Sequence, residues 1–128
     1  MTAGDSGGGA RVKSAVRTVE LLEYFAGRPG MRTLLPETLP SLTGNTVTDR
    51  EKLIGELHRV REQGLAVDHE ENTLGLRCFG VAIPYRTPAR DAVSCSVPVA
   101  RLTPAHEQMI KGALFDARDR LAMATHRL

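Results

Sequence analysis

Three short segments with strand-like alternation follow one another between residues 65 and 99, and they constrain the fold more than any other feature. They span Leu65–Asp68, Leu76–Ile83 and Ala92–Val99, with turn-forming residues between them. Parallel pairing needs a crossover of about a dozen residues or more, and these connections are shorter. The sequence therefore predicts an antiparallel β-meander.

Helical periodicity flanks these strands on both sides. Thr48 and Glu51 form a capping-box pattern at the start of one helix, and Gly64 is placed to end it. A final helix begins with Thr103 as its cap and Pro104 at its first position. Its predicted buried face comprises Met109, Ile110, Ala113, Leu114, Ala117 and Leu121. The predicted fold class is α+β, an antiparallel β-meander with helices packed on one face.

The N-terminal part has a different character. Residues 1–10 are rich in glycine and are interpreted as a disordered lead-in. A helical pattern runs from Arg11 to Ala26 and stops at the sequence "GRPG". The prediction for this region is thus one isolated helix, followed by a loop-like stretch with two prolines.

Side-chain alternation separates the predicted sheet into a bulky face and a face of small polar groups. Cys78 shares its face with Gly80 and Ala82, whereas the bulky residues of that strand point the other way. If the bulky sets of two strands align, Cys78 converges with Ser94 and Ser96, and Asp68 lies nearby. A thiol, two hydroxyls and a carboxylate are groups that hydrogen-bond a small oxoacid. The alternative is a solvated sheet face, which needs no ligand.

Composition and motif spacing exclude several classes of function. The net charge of +2 is small and dispersed, and aromatic residues make up 4% of the chain, so neither favours a nucleic-acid surface. The two cysteines and four histidines show no metal-ligand spacing, and no cofactor is predicted. No apolar run approaches the ~18 residues of a membrane span. Without a signal-peptide pattern, the expected location is cytoplasmic.

An enzyme is the second hypothesis, based on Asp68, Glu70 and Glu71 with His69. General acid–base catalysis needs groups that flank a substrate, whereas neighbouring strand residues alternate sides. Cys78 as a nucleophile would need a histidine within reach, and nothing in the sequence places one there. Charged residues beside a hairpin are more often a soluble turn. The prediction is that the chain is not an enzyme.

Several motifs in sequence order carry a family resemblance. They are "LT-N-T-TD", a helix ending in "VREQG", then "AVDHEE", "G-RC", "SCSVPVARLT" and a terminal helix. Over about residues 34–128 the chain resembles the second half of the effector-binding domain of IclR-type bacterial transcriptional regulators. The segment "VKSAVRTVELLEYFA" is also similar to the first helix of the family's DNA-binding domain.

The resemblance implies a site and a set of partners. Carried over by position, the effector-contacting residues would be Asp68, Cys78, Ser94 and Ser96, the set that the alternation selected. A small organic acid would be the effector, DNA the family partner, and a homo-oligomer the assembly. The recognition helix and wing are missing from the pattern, so the DNA-binding residues are unknown and DNA binding is expected to be impaired.

The resemblance also implies a domain division. Residues 11–30 would be the first helix of a truncated winged helix-turn-helix, and residues 31–128 the C-terminal part of an effector-binding domain. The predicted function is therefore an incomplete IclR-type regulator with an effector-binding domain. The remaining alternative is a stand-alone interaction module or a non-functional remnant, because exposed sheet edges favour association.

Overall fold

The computed structural model describes residues 35–85, 89 and 91–125. In chain order its elements are α1 (Arg50–Gln63), β1 (Ala66–His69), β2 (Leu76–Ala82), β3 (Ala92–Pro98), a 3₁₀ turn (Val99–Arg101) and α2 (Pro104–Thr125). The predictions for the lead-in and for the helix at residues 11–26 lie outside the described residues.

The three strands form the predicted antiparallel meander, in the order β1-β2-β3. In the β1–β2 register Asp68 lies opposite Cys78. In the β2–β3 register Cys78 lies opposite Ser96, and Gly80 lies opposite Ser94. The α+β prediction is confirmed, and the strand bounds differ from the prediction by at most one residue.

The N-terminal cap of α1 differs from the prediction. Asp49, not Thr48, is the cap residue, and its Oδ1 accepts a hydrogen bond of 2.9 Å from the backbone N–H of Lys52. A carboxylate at this position also interacts favourably with the helix dipole, an advantage that a hydroxyl lacks. The predicted end is confirmed: Gly64 has a left-handed φ of 73°, and its N–H donates to the carbonyl of Val60.

The main core lies between the sheet and α2. Phe79 and Val81 are fully buried on the bulky face, and Ile110 and Leu114 of α2 pack against them. The predicted cap of α2 is confirmed by a 3.1 Å bond from the N–H of His106 to the hydroxyl of Thr103. An ion pair between Arg77 and Glu107, at 3.3 Å, further joins β2 to α2.

The buried face predicted for α2 was too long. Met109 and Leu121 are 64% and 41% exposed, and Ala113 is also exposed. A helix of 22 residues is about 33 Å long, whereas strands of 7 residues reach only about 23 Å. The three strands also make a narrow sheet. Contact with it therefore covers one limited stripe of α2, centred on Ile110 and Leu114.

A second, smaller core cluster contains Leu35, Ile54 and Leu57, with Leu53 packed against it. The three α1 residues of this cluster recur at the spacing of one helix face, and Leu35 comes from the segment before α1. The C-terminal end of α1 lies close to α2, because a Cβ placed on Gly64 would be 3.3 Å from Nη1 of Arg118. In the part of the chain that the structure describes, the buried apolar residues thus form two clusters, one on each side of residue 64 in the sequence.

Candidate functional site

A row of polar side chains crosses the sheet on the face opposite α2. Asp68, Cys78 and Ser96 occupy directly opposed positions on β1, β2 and β3. Because opposed residues in a sheet point to the same side, their side chains form one line across three strands. The predicted convergence of Cys78 with Ser96 and Asp68 is present in the structure.

Cys78 and Ser96 make direct contact at the centre of this row. The distance between Sγ of Cys78 and Oγ of Ser96 is 3.1 Å. Burial raises the pKa of the Cys78 thiol, the hydrogen bond with Ser96 opposes that shift, and the Asp68 charge adds to it. The thiol therefore stays protonated at neutral pH, as a weak hydrogen-bond donor rather than a nucleophile.

Ser94 lies in the next row of the same face. It is opposite Gly80, which in turn is opposite Ala66. Gly80 has no side chain and Ala66 has only a methyl group, so this row leaves the Ser94 hydroxyl without a polar neighbour on β2 or β1. Ser94 is half-buried and Ser96 is exposed. The two predicted serines thus share the face, and Ser96 is the one that lies directly opposite Cys78.

Asp68 is almost completely buried, at 4% exposure, and it organises the turn that follows β1. Its Oδ1 accepts a 2.7 Å hydrogen bond from the N–H of Glu71. Burial raises the pKa of Asp68, while the backbone N–H groups of Glu71 and Asn72 and the charge of His69 oppose the shift. The sequence signal for an Asp68 side chain that binds the backbone of the following turn is an aspartate placed where a turn begins.

The two glutamates of the acidic cluster also bind backbone. Oε1 of Glu70 accepts from the N–H of Gly75 at 2.8 Å, and Oε2 of Glu71 accepts from the N–H of His69 at 3.1 Å. Glu70 has a left-handed φ of 59°, which this cross-turn bond helps to hold. Through these bonds to backbone N–H groups, the two glutamates stabilise the β1–β2 turn.

Two hydroxyls from the segment before α1 hold the same turn, a feature that the sequence analysis missed. Thr43 Oγ1 donates to the carbonyl of Glu70 at 2.7 Å, and Thr46 Oγ1 donates to the carbonyl of Glu71. We call Thr43 and Thr46 the threonine clamp. It fixes the backbone whose N–H binds Asp68, so the position of that carboxylate depends on two hydroxyls that lie 25–28 positions before the carbonyls they bind.

The described residues show neither a metal site nor a membrane helix. In residues 35–85, 89 and 91–125, no three His, Cys, Asp or Glu side chains are grouped so as to hold a metal ion. No helix in that part of the chain is both long and apolar enough to cross a bilayer.

Comparison with known protein families gives one match over most of the chain. The profile described as "Bacterial transcriptional regulator IclR C-terminal" matches residues 21–123. The regulator Rv1719 of Mycobacterium tuberculosis is 41% identical over 80 residues, which is 62% of this chain and 30% of Rv1719. BhcR of Paracoccus denitrificans is 33% identical over 92 residues, covering 71% of this chain and 33% of BhcR. The chain thus spans about a third of the length of these relatives.

Solved structures share the fold. The C-terminal domain of the Escherichia coli regulator KdgR superposes with a TM-score of 0.68 at 28% identity, covering 85% of this chain and 66% of that domain. The inducer-binding domain of PobR from Acinetobacter, in complex with 3-hydroxybenzoic acid, gives a TM-score of 0.70 at 21% identity. It covers 82% of this chain and 61% of that domain, and at this identity the likeness concerns the fold alone. The curated relatives are transcriptional regulators rather than enzymes, which fits the prediction of no catalytic function.

Proposed function

The chain belongs to the IclR family of bacterial transcriptional regulators, and from this membership we propose that its polar sheet face binds a small organic acid as effector. The proposed contacts are Asp68, Cys78, Ser94 and Ser96. One observation carries the proposal: Asp68, Cys78 and Ser96 stand in a single row across three strands, with Cys78 and Ser96 3.1 Å apart.

The chemistry of the row suits an anion. A protonated thiol and serine hydroxyls are neutral donors that can bind carboxylate oxygens without a compensating proton transfer. One oxygen of Asp68 is engaged by the Glu71 N–H, and in the proposal its carboxylate accepts from a hydroxyl of the ligand or from an ordered water. A hydroxy acid fits this arrangement directly, because its carboxylate accepts from the thiol and hydroxyls and its hydroxyl donates to Asp68, whereas an oxo acid would need the ordered water as the donor to Asp68.

The proposed role is that of a ligand-sensing part of a regulator in the cytoplasm, where DNA is located. Residues 11–30 are proposed to correspond to the first helix of a truncated winged helix-turn-helix, and residues 31–128 to the C-terminal part of an effector-binding domain. The family match begins within the first of these segments. Because the sequence pattern shows no match to the family's recognition helix, we propose that DNA binding by this chain alone is impaired, and that the assembly is a homo-oligomer.

Thermal unfolding with a panel of acids tests the effector site. The probes are 3-hydroxybenzoate and short 2-oxo and 2-hydroxy acids, because a ligand that binds the native state raises Tm. The matched variants are Cys78→Ala and Cys95→Ala, since Cys95 lies opposite Phe79 and packs against the main core instead. We expect one acid to raise the Tm of the parent chain and of Cys95→Ala, with a much smaller rise in Cys78→Ala and Ser96→Ala.

Two results would count against the effector site. If no acid of the panel raises Tm although the chain unfolds cooperatively, the polar face has no affinity for this ligand class. If an acid raises the Tm of Cys78→Ala and Ser96→Ala as much as that of the parent chain, the ligand binds elsewhere. The alternative function, a stand-alone interaction module, would be favoured by a cooperative transition that no acid shifts.

A further inference from the structure

The outer edge of β3 presents a row of backbone groups that β2 does not use. The N–H of Ile83 donates to the carbonyl of Asp91 at 2.9 Å, so these two residues form a hydrogen-bonded pair at the end of the β2–β3 ladder. Such pairs alternate along an antiparallel ladder. By that alternation Val93, Cys95 and Val97 exchange hydrogen bonds with β2, whereas Ala92, Ser94 and Ser96 direct their N–H and C=O groups outward.

Two features of the β2–β3 ladder agree with this assignment. Pro98, which has no N–H, lies opposite Leu76 at a position where no donor to β2 is required. Cys78 and Ser96 form a non-hydrogen-bonded pair, in which side chains approach most closely, and their side chains are 3.1 Å apart. In the described part of the chain, no strand pairs with the outer side of β3.

The two edges of the sheet differ in how they are protected. β1 has 4 residues, it contains Asp68 and His69, and the threonine clamp holds the turn after it. Short length and charge are the devices by which proteins block edge pairing. β3 has 7 residues, reads "AVSCSVP" and contains no charged residue. Pro98 at its C-terminal end lacks an N–H and blocks pairing there, whereas residues 92–97 carry no such device. In the described part of the chain, the edge of β3 is therefore better suited than that of β1 to accept another strand.

We propose that β3 pairs antiparallel with β3 of a second copy of this chain, which makes a six-stranded sheet across a twofold axis. A twofold contact brings each residue close to its own counterpart, so a charged strand such as β1 would face like charges, whereas β3 has none. In two registers of this pairing, every outward N–H group of β3 in both copies donates a hydrogen bond to the other copy. One is centred on Ser94 and the other on Cys95.

Both registers join the two polar faces. In the register centred on Cys95, Ser94 of one copy lies opposite Ser96 of the other. In the register centred on Ser94, the two Ser94 residues lie opposite each other. In the register centred on Cys95, Ser94 of each copy lies beside Ser96 at the end of the other copy's polar row, whereas in the register centred on Ser94 that place is taken by Ala92. This consequence for the effector site rests on the proposed function, whereas the strand pairing itself does not.

Analytical ultracentrifugation of two variants at the same position tests the pairing. Ser96→Ala removes the hydroxyl and keeps the outward N–H, whereas Ser96→Pro removes both. The parent chain and Ser96→Ala are expected to be dimers, and Ser96→Pro is expected to raise the dimer dissociation constant by roughly tenfold or more, because each dimer loses two interchain donors. Circular dichroism checks that both variants are folded.

Amide hydrogen exchange on the parent chain provides a test that needs no variant. The amides of Ala92, Ser94 and Ser96 should exchange more slowly as protein concentration rises, whereas those of Val93 and Cys95 should be protected at every concentration. A monomer at all soluble concentrations, or equal dissociation constants for Ser96→Ala and Ser96→Pro, would overturn the proposal. No ligand is present in either experiment, so this outcome leaves the effector proposal unaffected.

Discussion

Asp68 accepts hydrogen bonds from backbone N–H groups of the turn after β1, and it also has a proposed role in ligand binding; two substitutions separate these roles. Asp68→Asn keeps an oxygen that accepts from the Glu71 N–H, whereas Asp68→Ala leaves that part-buried donor unsatisfied. We expect Asp68→Ala to lose about 1–3 kcal/mol in the free energy of unfolding and Asp68→Asn to lose clearly less. Chemical denaturation measures both. Equal losses would show that the charge, rather than the hydrogen bond, stabilises the turn.

The half-buried Glu71 carboxylate makes the stability of the fold depend on pH. Burial raises the pKa of Glu71 above its usual 4.5, the N–H of His69 opposes this shift, and the charges of Asp68 and Glu56 add to it. The folded state therefore binds the proton more tightly than the unfolded state. This contribution to stability is complete below pH 4.5 and is lost as pH rises through the raised pKa.

Glu71→Gln should remove that part of the pH dependence. The amide oxygen can still accept from the N–H of His69, while the buried charge is gone. We expect the free energy of unfolding of the parent chain to fall more steeply between pH 4.5 and neutral pH than that of Glu71→Gln, as followed by denaturation at a series of pH values. Glu62→Gln, an exposed position on α1, is the control and should behave like the parent chain. Parallel curves for Glu71→Gln and the parent would contradict the prediction.

The final helix α2 packs on the sheet through a narrow stripe of its residues. Residues of α2 that are close in sequence therefore contribute very differently to the free energy of unfolding. Leu114 is 6% exposed in the main core, whereas Met109 is 64% exposed. Leu114→Ala should lose about 2–5 kcal/mol, a large part of the ~5–15 kcal/mol that stabilises a typical domain. Met109→Ala should change stability by no more than about 0.5 kcal/mol. Thermal and urea unfolding of both variants measures the difference, and equal losses would mean that the exposed stripe of α2 is covered.

Local sequence signals predicted the elements well where short-range geometry decides the outcome. The strands, the end of α1 at Gly64 and the start of α2 at Thr103 follow from turn, capping and alternation rules. Thr48 was the wrong cap because Asp49, one residue later, offers a better acceptor. The buried face of α2 was overestimated because helical periodicity shows which side is apolar but not how far the opposing sheet extends.

The polar row was predictable for a similar reason, and the threonine clamp was not. Alternation fixes which residues share a face, and short hairpins leave few registers, so Cys78 and Ser96 could be brought together from the sequence. The hydrogen bonds of Thr43 and Thr46 join segments that are 25–28 residues apart. No local pattern contains that information, because it arises only when the segment before α1 packs beside the β1–β2 turn.

In residues 35–85, 89 and 91–125 the buried apolar residues form two clusters of unequal size, and the threonine clamp joins the segment before α1 to the β1–β2 turn. The larger cluster lies between the sheet and α2, and the smaller one includes Leu35, Ile54 and Leu57. Among the described elements α2 packs closely on β2 and β3, whereas α1 has no comparable contact with a strand. Segments with fewer packed contacts open at lower free energy, so α1 is expected to unfold before the sheet.

Removing the threonine clamp should lower the free energy at which α1 opens further below that of the sheet. In the double variant Thr43→Val and Thr46→Val the shape is retained and the hydroxyl donors to the carbonyls of Glu70 and Glu71 are lost. Each lost bond is worth about 1 kcal/mol. We expect amide exchange in α1 to accelerate about tenfold or more while exchange in β2 changes less, and the double variant with serine at both positions to retain most of the protection. Uniform acceleration across α1 and β2 would instead show that the two clusters unfold as a single unit.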